Sequence, residues 1–493
     1  MEENQIKIKT LSNMIWRFAE RCGAQGVAFV VSIVLARLLT PTEYGTVALI
    51  TVFTTIFQVF VDSGMGNALI QKKNADQLDF SSVFYFNIVM CVVVYAILFA
   101  IAPLIASFYD DPSLTPMVRV VGLTIIIAGL KNIQQAYVSK HLLFRKFFFS
   151  TLGGTIVAGV VGIAMAYLGF GAWAIVAQQV INVFIDTCIL YITVRWRPTK
   201  QFSLKRLKQL FGFGWKLLAS SLLDTVYNNL RSLIIGKLYS SDDLAYYNKG
   251  KQIPNLFITN INNSIDSVLF PVMSQEQNDV TRIKSMLRRS IKTSVYILAP
   301  LMMGIAFVAE PLIRLLLTEK WLSCVFFLRI FCITYMFYPI HTANLNAIKA
   351  MGRSDLFLKL EILKKIVGMA AVLISMWFGV KAMALSLLVT SLLSQLINSW
   401  PNRRLLDYGY LSQLKDILPG ILLAVFMGGC VFPITLLDLP DILTLVIQVI
   451  LGAAIYIGGS RLLKLEEFYY VLDMIKSMMK KRQKKADFET RND

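Results

Sequence analysis

The sequence predicts an all-α polytopic membrane protein with about fourteen transmembrane helices, in two pseudo-symmetric six-helix lobes followed by two C-terminal helices. The first observation is the composition: 56% of the 493 residues are hydrophobic and only 16% are charged. In soluble domains roughly a quarter of the residues are charged. A series of apolar runs, each long enough to cross a bilayer, is the second. The third is an internal repeat.

The apolar runs define the predicted spans, since a membrane helix requires about 20 mostly apolar residues. In the first half of the chain they are 11–38, 43–66, 80–107, 114–138, 148–168 and 172–195. After a basic segment they continue with 211–236, 243–273, 290–316, 321–348, 358–378 and 380–400, and then with 414–436 and 442–463. The first and fourth spans are the least apolar and are retained because the repeat requires them.

Loop charges predict the orientation of these spans. Cations are concentrated in every second loop, as at Lys72–Lys73 and Arg403–Arg404, whereas the opposite loops are short and neutral or acidic, as at Asp110–Asp111. By the positive-inside rule, both termini lie in the cytoplasm. The net charge of +19 therefore reflects topology, and nucleic acid is not an expected partner.

The internal repeat predicts the domain organisation. Residues 35–45 and 235–245 each join two long apolar helices through a short polar turn, and Arg119 and Lys140 recur as Arg329 and Lys349. We therefore predict an N-lobe at 1–200 and a C-lobe at 201–402, then two additional helices at 403–463 and a basic cytoplasmic tail at 464–493. Similar halves of this kind are typical of transporters, with the substrate path expected in the cleft between the lobes.

Polar side chains inside the predicted spans are the candidate functional residues. A charge at the bilayer centre costs about 2.5–3.5 kcal/mol on insertion scales, so such side chains normally face the bundle interior or water. They follow one helix face in four spans: Arg17, Glu20 and Arg21 in the first; Thr51, Thr55, Gln58 and Asp62 in the second; Lys216, Ser220, Asp224, Tyr227 and Arg231 in the seventh; and Lys251, Asn255, Thr259, Asn262 and Asp266 in the eighth.

One turn carries a family resemblance. The stretch Leu35-Ala-Arg-Leu-Leu-Thr-Pro-Thr-Glu-Tyr-Gly45, followed by a helix that ends in Asp62-Ser-Gly64, resembles the polysaccharide transporters of the multidrug/oligosaccharidyl-lipid/polysaccharide superfamily. Within it the chain looks like the Wzx-type flippases and the lipopolysaccharide, colanic and teichuronic acid export proteins. The resemblance implies alternating-access transport of an undecaprenyl-pyrophosphate-linked oligosaccharide across the bacterial inner (plasma) membrane, not enzymatic activity. It makes a polysaccharide polymerase and the chain-length machinery candidate partners.

Given that resemblance, we expect a cationic patch that neutralises the pyrophosphate, formed by Arg17, Arg21, Lys216, Arg231 and Lys251. The acids are candidates for counter-ions or for an H⁺ or Na⁺ coupling site, namely Glu20, Asp62, Asp224 and Asp266. The alternative is that these charges only pair with one another. No metal or other cofactor is expected, because the six cysteines lie in apolar runs and the two histidines are isolated.

Other function classes remain as alternatives. A multidrug or cation antiporter of the same superfamily would need a more acidic cleft, and a lipid II flippase would share the anionic lipid cargo. A membrane-embedded polysaccharide polymerase or ligase would need catalytic residues on a long external loop, whereas the external loops here have ordinary connection lengths. ATP-driven transport within this chain is excluded by the lack of a Walker motif.

Overall fold

The computed structural model describes residues 23–62, 64–437, 439–474 and 476–477. These residues form helices and connecting turns, with no strand among them. The helices are α1 Gly23–Leu38, α2 Pro41–Asp62, α3 Met65–Gln71, α4 Gln77–Phe108, α5 Leu114–Lys140, α6 Phe144–Tyr167, α7 Ala172–Thr193, α8 Leu204–Leu238, α9 Ser241–Gln275, α10 Val280–Phe307, α11 Ala309–Leu317, α12 Cys324–Met336, α13 Tyr338–Ala350, α14 Ser354–Ser375, α15 Val380–Leu405, α16 Tyr410–Val431 and α17 Asp441–Leu462.

Every predicted span corresponds to a helix or a pair of helices, which confirms the all-α polytopic fold. Ten stretches of the described chain are long and apolar enough to cross a membrane. The other four predicted spans correspond to α1, for which only Gly23–Leu38 is described, and to α8, α9 and α14. These last three contain 35, 35 and 22 residues. They are therefore long enough to cross a membrane, and only their more polar composition distinguishes them from the ten apolar stretches.

Three spans predicted as single helices are interrupted. The second span is interrupted between α2 and α3, next to Gly64, whose φ of 67° favours glycine. Phe337 separates α12 from α13, and Pro339 lies in the first turn of α13, where proline is tolerated. A third break, at Val308, separates α10 from α11.

The structure divides into two compact units, Met1–Ala245 and Tyr246–Asp493. The boundary falls inside α9. The division of the chain into lobes at residues 200 and 402 remains a prediction.

The core of unit 1 includes the segment that connects α7 to α8. Trp196 of this segment is 6% exposed, and its ring centroid lies 5.9 Å from those of Phe80 and Phe84 on α4. Its indole nitrogen donates to Gln77 Oε1 at 2.6 Å, and Gln134 Nε2 of α5 donates to its carbonyl at 3.0 Å. The connecting segment is therefore anchored to the cytoplasmic ends, on the predicted topology, of α4 and α5.

Unit 2 has a fully buried amide network in its core. Asn344 of α13 exchanges two hydrogen bonds with Gln413 of α16, at 2.8 and 2.9 Å. Asn402 Nδ2 of α15 donates to Asn344 Oδ1 at 2.7 Å. All three side chains have no exposed surface, so this network joins three helices where an apolar residue would leave amides without partners.

Matched positions of the sequence repeat have similar local geometry in the two units. Arg119 Nε donates to the Phe99 carbonyl at 3.4 Å, and Arg329 Nε donates to the Ala306 carbonyl at 3.2 Å. In unit 1 the arginine joins α5 to α4, and in unit 2 it joins α12 to α10.

Candidate functional site

The repeated turn closes the first turn of a helix in both copies. Glu43 Oε2 accepts hydrogen bonds from the Thr40 amide at 2.7 Å and the Thr40 hydroxyl at 2.9 Å, while the Glu43 amide donates to Thr40 Oγ1 at 3.3 Å. Ser240 and Asp243 form the same arrangement, with a hydroxyl-to-carboxylate distance of 2.8 Å. These acids form capping boxes, so the motif specifies where α2 and α9 begin.

Gly45, the last residue of the motif, allows a close backbone contact. A Cβ atom there would lie 1.9 Å from the Ser241 carbonyl oxygen, and one at Gly236 would lie 2.1 Å from a methyl carbon of Leu49. The start of α2 therefore packs directly on the end of α8 and the start of α9. We call this contact, formed by Gly45, Leu49, Gly236 and Ser241, the α2–α8 junction.

Polar contacts from the loop after α4 support the junction. Lys237 Nζ lies 3.1 Å from Asp110 Oδ2, and the Tyr109 hydroxyl donates to the Leu233 carbonyl at 3.3 Å. On the predicted topology this is the external end of the helices, because the acidic loop at Asp110 faces outward.

The opposite end of α8 approaches the break between α2 and α3. A Cβ atom at Gly64 would lie 2.5 Å from the Gly214 carbonyl oxygen and 3.0 Å from Leu217 Cβ. Helix α8 therefore follows α2 and α3 along much of its length. This crossing brings together the chain segments that carry Asp62 and Lys216, two of the predicted site residues.

Unit 1 contains four of the predicted site residues that are described. On α8, Lys216 and Asp224 are exposed, whereas Arg231, later on the same helix, is half-buried. Asp62 is exposed at the end of α2, where Asn132 Nδ2 of α5 lies 3.3 Å from its Oδ1 and 2.8 Å from the Val61 carbonyl. The predictions for Arg17, Glu20 and Arg21 lie outside the described residues.

Unit 2 contains the remaining two, both on α9. Lys251 is half-buried, and Asp266 is exposed and accepts a hydrogen bond at 2.6 Å from Asn346 Nδ2 of α13. Between them the exposed face of α9 is polar, with Asn255 and Thr259 on it.

Sequence reasoning missed the most enclosed ion pair in the described part of unit 1. Lys131 Nζ of α5 lies 2.7 Å from Asp186 Oδ2 of α7, and the two side chains are only 15% and 8% exposed. A lysine and an aspartate inside predicted spans were the available signal, but their pairing depends on how α5 packs against α7, which spacing along one helix does not reveal.

No group of three or more His, Cys, Asp or Glu side chains suited to holding a metal ion occurs among the described residues. The charged side chains are instead arranged in pairs, such as Lys131 with Asp186, and along the faces of α8 and α9.

Curated relatives match most of the chain. It is 28% identical over 330 residues to the teichuronic acid biosynthesis protein TuaB of Bacillus subtilis (strain 168), covering 65% of this chain and 67% of that protein. It is 25% identical to the succinoglycan biosynthesis transport protein ExoT of Rhizobium meliloti (strain 1021), covering 64% of each chain. It is 22% identical to the lipopolysaccharide biosynthesis protein WzxC of Escherichia coli (strain K12), covering 80% of each.

Solved structures share the fold. The lipid II flippase MurJ in an inward closed conformation superposes with a TM-score of 0.72 at 15% identity, covering 91% of this chain and 98% of that one. An inward-facing MATE multidrug resistance transporter superposes with a TM-score of 0.62 at 13% identity, covering 79% and 98%. At these identities the likeness concerns the fold alone.

The family comparison covers more than half of the sequence. The profile of a family described as "Polysaccharide biosynthesis protein" matches residues 34–326, a region that begins just before the repeated turn and extends into unit 2. The chain therefore belongs to the polysaccharide biosynthesis protein family.

Proposed function

We propose that this chain transports an undecaprenyl-pyrophosphate-linked oligosaccharide across the bacterial inner membrane by alternating access, without catalysing a reaction. TuaB, ExoT and WzxC are named for the biosynthesis or transport of polysaccharides. The fold shared with a lipid II flippase supports a lipid-linked cargo. Both termini lie in the cytoplasm under this proposal.

The polar faces of α8 and α9 carry this proposal. Lys216 and Asp224 on α8, and Asn255 and Asp266 on α9, are exposed although both helices lie within a polytopic membrane protein. Each charge would cost about 2.5–3.5 kcal/mol against lipid, so these faces meet water. A transporter of a hydrophilic headgroup needs such wetted faces, whereas a purely structural helix does not.

Five basic residues would bind the pyrophosphate, namely Arg17, Arg21, Lys216, Arg231 and Lys251. A guanidinium donates a fork of hydrogen bonds to phosphate oxygens, and an ammonium acts as a compact charge. The acids Glu20, Asp62, Asp224 and Asp266 would balance these cations while cargo is absent. The lipid tail would remain in the bilayer.

The α2–α8 junction would close the external end of unit 1 between transport events. Its contact at Gly45 is between backbones, so it can separate and reform without rearranging long side chains. Lys237 and Asp110, 3.1 Å apart and largely exposed, would add little to its stability because exposed pairs contribute roughly 0–1 kcal/mol.

Charge reversal on α8 tests the proposal. Lys216→Glu should reduce polymer export at least about tenfold, since a hydrogen bond to a charged group contributes about 1.5–3 kcal/mol. Lys205→Glu is the matched control, because Lys205 is exposed in the first turn of the same helix. The measurement is surface polysaccharide per unit of membrane-inserted protein in cells that lack the native gene. Undiminished export by Lys216→Glu at normal protein levels would refute the assignment.

The same cells test the proposed cargo class and partners. Loss of export should be accompanied by accumulation of lipid-linked oligosaccharide on the cytoplasmic side, upstream of any polymerase or chain-length machinery. Altered resistance to organic cations, with polymer export unchanged, would instead support the multidrug antiporter alternative.

A further inference from the structure

A cavity of about 170 Å³ lies in unit 2, where α10 and α16 meet the chain that follows α17. It is large enough for several water molecules, and therefore for a small polar group. On the predicted topology it lies at the cytoplasmic ends of these helices. The charged and hydroxyl-bearing side chains that line it are Lys292, Tyr296, Asp416, Lys464, Glu466 and Glu467.

One wall of the cavity is held by hydrogen bonds between α10 and α17. The Tyr296 hydroxyl lies 2.9 Å from Ser460 Oγ, and the Tyr456 hydroxyl donates to the Tyr296 carbonyl at 2.9 Å. All three residues are buried. The cavity is therefore a feature of the packed helices and not a gap beside a surface loop.

Asp416 already has its partners within the protein. Arg288 Nη2 lies 2.6 Å from its Oδ1 and Arg288 Nε lies 2.8 Å from its Oδ2, while the Tyr408 hydroxyl donates to Oδ2 at 2.7 Å. A guanidinium bound in this bidentate way is among the strongest hydrogen-bonding partners of a carboxylate. Asp416 therefore shapes the cavity and needs no ligand of its own.

The other four charged groups are unevenly paired. Lys292 Nζ lies 2.8 Å from both Glu466 Oε2 and Glu467 Oε1, so two carboxylates share one ammonium. Glu466 is the more loosely enclosed acid, because its side chain is 85% exposed and that of Glu467 is 11% exposed. Lys464 forms no ion pair with the described residues. A ligand that carries both signs of charge would complete the pairing.

Lys464 occupies a backbone position that favours glycine. Its φ is 51°, and it directly follows Leu463, the C-terminal cap of α17. Helices commonly end with a glycine in this left-handed conformation, which is unfavourable for a residue with a Cβ atom. A lysine here indicates that its side chain, which lines the cavity, has a use that offsets the unfavourable backbone.

From this distribution of charge we propose that the cavity binds the phosphoethanolamine headgroup of a phospholipid in the cytoplasmic leaflet. The phosphate accepts hydrogen bonds from Lys464 and Lys292, and the primary ammonium donates to Glu466 in place of Lys292. Giving up the Lys292–Glu466 pair costs little, because Glu466 is largely exposed in it. The headgroup is neutral overall, so the charge of the cavity is unchanged by binding.

The same chemistry disfavours two other common headgroups. A phosphocholine group carries a quaternary ammonium, which has no N–H to donate to Glu466. A phosphoglycerol group has no cation, so its phosphate would take Lys292 from Glu466 and give that carboxylate nothing in return. A phosphate joined to a primary ammonium satisfies both ends of the site.

Apolar side chains beside the cavity favour a lipid over a soluble molecule. Leu462 and Leu463, which directly precede Lys464, are exposed, and so is Ile457 on the same helix. In a membrane these side chains of α17 meet acyl chains at the level where headgroups begin. A lipid that enters the cavity with its headgroup can therefore leave its tails along α17.

Thermal unfolding of the purified full-length protein in one detergent tests the proposal. Phosphatidylethanolamine, phosphatidylglycerol and phosphatidylcholine with identical acyl chains are added in turn, and soluble O-phosphoethanolamine is a fourth addition. Phosphatidylethanolamine should raise the Tm more than the other three, because a ligand of the native state stabilises it. Its apparent Kd should be at least about tenfold lower than those of the other two lipids.

Lys464→Gly separates the lipid site from the stability of the fold. It removes the ammonium and relieves the left-handed backbone, so the Tm without lipid should be unchanged or higher, while the preference for phosphatidylethanolamine is lost. Asp407→Gly is the matched control and should keep that preference, because Asp407 also has a positive φ, of 46°, and does not line the cavity. Glu466→Gln should bring phosphatidylethanolamine and phosphatidylcholine to similar affinities.

Four results would overturn the inference. Equal Tm shifts with phosphatidylethanolamine and phosphatidylcholine would rule out recognition of the ammonium, and equal shifts with phosphatidylglycerol would show an unspecific basic patch. An equal shift with soluble O-phosphoethanolamine would exclude a lipid as the occupant, and an unchanged lipid preference in Lys464→Gly would exclude the site. None of these measurements involves transport, so this inference and the proposed function can fail independently.

Discussion

Replacing Gly45 with alanine perturbs the α2–α8 junction at its closest point. The added methyl group would lie 1.9 Å from the Ser241 carbonyl oxygen and 2.4 Å from the carbonyl carbon, and real Cβ atoms essentially never come within 3.0 Å. The two helix starts must therefore separate by at least about 1.1 Å. Both contacting atoms belong to backbone, so no side-chain rotation can relieve the clash.

The net change in the free energy of unfolding caused by Gly45→Ala follows from two opposing effects. Overpacking of a tight contact costs typically about 1–3 kcal/mol, occasionally more, and this clash with backbone lies at the upper end. Alanine also improves helix formation over glycine by about 0.8–1.0 kcal/mol. We expect a net destabilisation of about 2 kcal/mol, which is roughly a thirtyfold change in an equilibrium constant.

The assay is thermal unfolding of the purified protein in one detergent, together with polymer export in cells. Gly45→Ala should lower the Tm and reduce export, because the closed junction becomes unfavourable. Gly458→Ala is the control: it makes the same change inside α17, where an added Cβ atom would meet nothing within 4 Å, so its Tm should be unchanged or slightly higher.

A Gly45→Ala protein with the Tm and export of the wild type would refute the reasoning. It would mean that the backbone contact between the starts of α2 and α9 is not formed in the membrane protein. A lowered Tm for Gly458→Ala would show that glycine-to-alanine changes are harmful here for reasons unrelated to the junction.

Three further predictions concern the supporting structure. Thr40→Ala removes one member of the α2 capping box and should cost about 1 kcal/mol in thermal unfolding; an unchanged Tm would contradict the cap. Asn344→Leu leaves Gln413 Oε1 without its donor and Asn402 Nδ2 without its side-chain acceptor and should cost at least about 2 kcal/mol, whereas a stability equal to wild type would show the network to be dispensable. The hydrogen bond from Arg206 lowers the pKa of Asp76 to about 2, so the ionised carboxylate stabilises the fold above its ordinary pKa of about 4 and this is lost as pH falls towards 2. The protection factor of the α7–α8 segment, which corrects for the intrinsic pH dependence of amide exchange, should therefore fall below about pH 4 in the wild type and stay constant in Asp76→Asn.

The helices could be predicted from the sequence because membrane spans are local. Apolar length located most of the spans, and the internal repeat supplied the first and fourth, which are the least apolar. The break next to Gly64 has a local signal too, but a glycine inside an apolar run is equally compatible with a continuous helix. Residue spacing was therefore sufficient to predict the helices but not to predict the breaks within them.

The site could be predicted only in part, since contacts between helices depend on packing. Spacing along α8 and α9 predicts which polar side chains share a face, and the structure buries one of them, Asn262. It could not pair Lys131 with Asp186, which are 55 positions apart on different helices, nor show that Glu43 closes its own helix. Binding of the pyrophosphate by Lys216 and the other cations remains a prediction.

Transport of the lipid-linked cargo by the purified chain tests the account most directly. Proteoliposomes would carry a fluorescent undecaprenyl-pyrophosphate-linked oligosaccharide in the inner leaflet, and a membrane-impermeant quencher outside would report its arrival in the outer leaflet. We predict that this lipid is flipped faster than in protein-free liposomes and that the same glycolipid without its phosphates is not. Equal rates for the two lipids, or no flipping of either, would contradict the account.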